Sequence, residues 1–76
     1  MFYNKNFKSR KVKVNYKLLA EKVGEATARR CYEYTELEGV IASEKEDHYL
    51  ISFRNGIDAI ASNITFKKNE VEMIND

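Results

Sequence analysis

From Lys11 to Lys17 the chain alternates strictly between apolar and polar positions, with Val12, Val14 and Tyr16 on one face and Lys11, Lys13, Asn15 and Lys17 on the other. A period of two predicts a strand that is buried on one side and wet on the other. After Leu18 the period changes. Leu19, Val23 and Ala26 recur at helical spacing, while Gly24 and the β-branched Thr27 weaken a helix, so a short helix is expected over residues 18–23. Residues 28–35 fit two elements: a continued helix, or a strand that puts Arg30, Tyr32 and Tyr34 on one face. Periodicity leaves both open.

The second half is patterned as strands. Residues 39–43 form a short apolar run between Gly39 and the polar tract Glu44-Lys45-Glu46-Asp47, and Tyr49, Ile51 and Phe53 then alternate with Leu50 and Ser52. Asn55-Gly56 follows, a dipeptide that predicts a hairpin through a type I′ turn, which needs positive φ at both central positions. Residues 59–61 and 64–66 supply the return strand or strands, 67–70 a tight turn, and 71–74 a short last strand. The expected fold class is mainly β: an antiparallel domain of about five strands with one short helix or irregular segment near residues 18–34. Its expected core is Val14, Val40, Ile41, Ile51, Phe53, Phe66, Val71 and Ile74.

Length and composition narrow the functions open to such a domain. With 76 residues the chain holds one core, and the leading residues 1–10 read as a basic, aromatic arm on it. Cys31 is the single cysteine and His48 the single histidine, so no disulfide, metal site or cofactor is expected. The apolar runs fall far short of the roughly 20 residues that cross a bilayer, and no signal-peptide core follows Met1. A cytoplasmic protein without a membrane partner is the expectation.

Net charge is only +1, but its distribution is uneven. Residues 1–17 carry Lys5, Lys8, Arg10, Lys11, Lys13 and Lys17 and no acid, whereas residues 18–50 carry four bases and eight acids. A basic leading segment on an acidic body either steers an anionic partner or is held by the body itself. No catalytic signature is present: Cys31 and His48 have no third orienting group, and Cys31 is better suited to filling the core, so an enzyme is not expected. The binding candidates are two groups. Phe2, Tyr3 and Phe7 are interleaved with Lys5, Lys8, Arg10, Lys11 and Lys13, which suits stacking of bases beside phosphate-binding cations and equally suits a protein interface. Arg29, Arg30, Tyr32 and Tyr34 form the second group.

The segments EGVIAS, HYLISFRNG and ITFKKNEVEMI resemble SH3-like domains of the KOW, Tudor and small phage-protein group, in which a G-x-I strand is followed by Y-x-V-x-F-x-(N/D)-G and a short closing strand. The resemblance covers residues 37–74, with 12–16 as the first strand. It implies a small SH3-like antiparallel barrel and a non-enzymatic binding module, such as a regulator or inhibitor encoded by a phage or other mobile element and acting through protein–protein contact. A second resemblance supports the alternative, a nucleic-acid-binding protein. LAEKVG followed by EATARRCYEY is similar to a helix-turn-helix in which Gly24 takes the turn, Arg29 and Arg30 face DNA, and the 41–53 hairpin is a wing.

Overall fold

The computed structural model describes residues 10–74. A first strand, β1 (Lys11–Val14), leads into two consecutive helices, α1 (Tyr16–Val23) and α2 (Glu25–Thr35). Three strands follow, β2 (Glu38–Glu44), β3 (His48–Asn55) and β4 (Asp58–Lys67), then one turn of 3-10 helix (Lys68–Glu70) and β5 (Val71–Met73). The strands form one antiparallel sheet in the order β4-β3-β2-β1-β5. The fold is mainly β, as expected. The sheet is open: β4 and β5 are its two edges.

The helical part is larger than the single short helix expected. The strand reading of residues 11–17 stops at Asn15, whose side chain accepts a hydrogen bond from the Leu18 N–H at 3.0 Å and caps α1. Tyr16 therefore opens a helix rather than closing a strand. At the far end the Gly24 N–H donates to the Ala20 carbonyl (2.8 Å), and the Gly24 carbonyl in turn accepts from Ala28 (3.0 Å), so one residue ends α1 and starts α2. The ambiguous residues 28–35 are helical because Ala28, Cys31 and the half-buried Thr35 line up at helical spacing on the inward side. α2 ends at Glu36 and Leu37, both with positive φ, and the Leu37 carbonyl accepts from the Val14 N–H at 3.1 Å, which ties the helix end to β1.

One face of the sheet carries the core. Val12 and Val14 of β1 are buried, as the alternation predicts, and Val12 pairs across from Gly39. Side-chain space is tight there: a Cβ on Gly39 would collide with Ile51 Cγ2 and lie 3.0 Å from Phe53 Cε2, so glycine lets β3 press against β2. Ile51 pairs with Ile64, Tyr49 with Phe66 and Phe53 with Ala61, and α2 packs over β3 and β4 with α1 at its side. Val14, Ile51, Phe53 and Phe66 of the expected core are buried, while Val40, Ile41, Val71 and Ile74 are only half-buried. Val40 pairs with Lys11 and Ser52 on the opposite face, the β2–β3 register slips between Ile41 and Ser43, and β5 is an edge strand. The helices bring Leu19, Ala28, Cys31 and Leu37 in to complete the core.

The β3–β4 hairpin also differs in detail from the expectation. Asn55 pairs with Asp58, so the two central turn residues are Gly56 and Ile57. Only Gly56 has positive φ (66°), which is the requirement of a type II′ turn with glycine first, not of type I′. The return segment is one strand of ten residues whose pairing with β3 slips twice, and Asn63 adopts positive φ within it.

Candidate functional site

The inward stripe of α2 is made of small side chains, and its larger ones are left on the two flanks. On the first flank Arg29, Tyr32 and Glu33 meet Tyr16 of α1 and the buried Leu37 around an open groove of about 530 Å³. The Tyr16 and Tyr32 rings meet edge to face, with centroids 6.2 Å apart and planes at 90°. The Tyr16 hydroxyl donates to Glu25 Oε2 at 2.9 Å. That bond to a carboxylate holds the phenol above its ordinary pKa, with Arg29 beside it acting in the opposite direction. The groove is thus lined by two rings, an aliphatic side chain and one charge of each sign, Arg29 and Glu33.

The second flank faces the hairpin. Arg30 and Tyr34 line a smaller recess of about 160 Å³ with Asn55, Asp58 and Ile60. Beside it the turn presents Ile57, which is 91% exposed, while Arg54 Nη2 donates to the Ile57 carbonyl at 3.2 Å. A helix advances 100° per residue, so Tyr32 and Tyr34 lie about 200° apart around the axis. Arg29 and Arg30 are divided in the same way between the two recesses.

Among the described residues, Arg10, Lys11 and Lys13 line neither recess. Arg10 Nη1 and Lys68 Nζ each reach one oxygen of Glu44 at 2.8 Å, and both cations lie over the Tyr49 ring, at 5.6 and 5.2 Å from its centroid. The two partners hold the Glu44 carboxyl below its ordinary range. Arg10 is therefore engaged within the fold. Lys11 and Lys13 point away from Val12 and Val14, onto the other face of the sheet, where Lys13 stands across from Glu38 and Glu72. Phe2, Tyr3, Lys5, Phe7 and Lys8 lie outside the described residues.

Tyr16, Leu37 and Ile57 escape a reading of the sequence as site residues. Tyr16 and Leu37 come together only through the α1–α2 fold, whereas an isoleucine one place after Asn55-Gly56 is itself a signal, because turn positions favour polar residues. Cys31 is sealed in the core, and burial pushes its thiol up, while His48 Nδ1 lies 2.9 Å from Asp47 Oδ1. Among the described residues no group of three potential metal ligands converges, and no helix is long and apolar enough to cross a membrane. The chain matches no family model, no characterised protein and no solved structure.

Proposed function

We propose that this chain is a small non-enzymatic binding module whose partner is a protein, engaged through the exposed flanks of α2. The observation that carries this reading is the position of Tyr32 and Tyr34, each 55% exposed and each beside an arginine in a recess of the surface. Tyrosine and arginine are, with tryptophan, the residues enriched at the energetic centres of protein interfaces, because both combine broad apolar area with a polar end. The order of elements supports an SH3-like relationship: a helical excursion after the first strand, a strand near Gly39, a hairpin at Asn55-Gly56, a single turn and a short strand returning beside β1. A regulator or inhibitor of phage or mobile-element origin is the role that relationship implies.

The helix pair meeting at Gly24 keeps a nucleic-acid reading in play, and the same experiment tests both. Immobilised protein is offered a bacterial lysate with and without nuclease, using wild type and the Tyr32→Ala, Tyr34→Ala double variant. The expected result is a nuclease-resistant protein that the double variant no longer retains. Recovery that disappears with nuclease, together with DNA affinity that falls steeply with salt, transfers the function to nucleic acid.

A further inference from the structure

We propose that Asn55-Gly56 is a self-modifying site, at which Asn55 gives up its side-chain nitrogen and leaves a carboxylate in the recess beside Arg30 and Tyr34. The reaction needs water and no other reagent. The Gly56 backbone nitrogen, on losing its proton, attacks the Asn55 side-chain carbonyl carbon. A C–N bond forms, the bond to the amide nitrogen breaks, and that nitrogen leaves as ammonia. Water then opens the cyclic imide at either of its carbonyls, giving aspartate or, with the main chain rerouted through the side chain, isoaspartate. No atom is oxidised or reduced.

Three features place this chemistry at the hairpin tip. Of the chain's asparagines only Asn55 is followed by glycine, so no Cβ crowds the attacking nitrogen, and both residues are exposed. Neither the Gly56 N–H nor the Asn55 amide is held by a hydrogen bond among the described residues, because the turn closes through the Asn55–Asp58 pair. That pair ends the ladder, where opening is cheap, and the attack needs Asn55 to leave its strand geometry only briefly. Asn15 and Asn63 lack these features: the Asn15 amide accepts from the Leu18 N–H and precedes Tyr16, and Asn63 precedes the buried, β-branched Ile64. The consequence is electrostatic. Arg30 and Asp58 give the recess one charge of each sign, and neither ion-pairs with a described residue. A second acid makes this flank of α2 negative, lowers the chain's formal net charge of +1 by one, and leaves the Tyr16–Tyr32 groove unaltered. This holds whatever partner the helix engages.

The test ages the folded full chain in mildly acidic and in mildly alkaline buffer, beside the Asn55→Gln variant and a sample of wild type held in urea. Peptide mapping by mass spectrometry should find the amide NH2 of Asn55 exchanged for OH in folded wild type, as aspartate and isoaspartate together and faster in the alkaline buffer. Native electrophoresis should show a new species one charge more acidic. Asn55→Gln alters an exposed position and would have to close a larger ring, so it should show neither change in the same time. If wild type keeps the Asn55 amide while folded and loses it only in urea, the turn protects it and the proposal fails. Exchange at Asn15 or Asn63 as fast as at Asn55 overturns it too, as does an acidic species formed in equal yield by Asn55→Gln. Aspartate without isoaspartate would mean direct hydrolysis and would remove the Gly56 nitrogen from the reaction.

Discussion

Phe53 and Phe66 lie fully buried on the face of the sheet that α2 covers, whereas Tyr32 and Tyr34, on α2 itself, keep more than half of their surface in water. The reason is the order in which the space is filled. The sheet projects large side chains inward and leaves room for little else, so the helix that closes over it meets them with Ala28, Cys31 and Thr35. Small inward residues let α2 sit close to β3 and β4, and a tyrosine between the layers would hold them apart. Large rings on α2 therefore have nowhere to go except the flanks. The difference teaches that the exposed tyrosines are a product of the same packing that stabilises the domain: the sheet supplies the bulk of the core, and the helix is free to present its aromatics outward.

Truncation on the sheet side should have the largest effect. Phe53→Ala removes a fully buried ring and should cost about 3–5 kcal/mol in urea unfolding, which in so small a domain abolishes most of the folded population at ordinary temperature. Enlarging the helix side should cost less but still register. Ala28→Leu forces extra atoms between α2 and the sheet and should destabilise by about 1–3 kcal/mol. If Ala28→Leu melts with wild type, close approach does not explain why the rings are outside. The smallest effect belongs to the flank: Tyr34→Ala should change unfolding free energy by no more than about 0.5 kcal/mol, the range of ordinary surface replacements. A loss comparable to that of Phe53→Ala would mean that Tyr34 belongs to the core.

How far the sequence displayed this contrast differs from element to element. Val12 and Val14, and Tyr49, Ile51 and Phe53, were legible because each alternates on a strand with one buried face. α2 was not, because its inward stripe of alanine, cysteine and threonine is only weakly apolar, whereas its strongest apolar surface, the two tyrosines, faces out. Periodicity reads hydrophobicity, and here hydrophobicity and burial part company. The half-buried state of Ile41 and Val71 depends on a slip in register and on an edge position, neither of which is written in local pattern. For the candidate site, Arg29, Arg30, Tyr32 and Tyr34 are adjacent in the chain but divided in space, and that division appears only once the segment is known to be a helix.

Cys31 gives the layer between α2 and the sheet a clock. It is the chain's single thiol, it has no exposed surface, and burial suppresses the thiolate that an alkylating reagent needs. A reagent in solution can react only while α2 is lifted from β3 and β4, so the alkylation rate in native buffer reports the fraction of time that layer stands open when reclosing outpaces the chemistry. One sulfur makes the reading unambiguous, since every modified molecule records the same event at the same place. Binding at either flank of α2 would then be read without labelling the partner: a ligand that holds the helix down slows the clock, and one that prises it away makes it run fast.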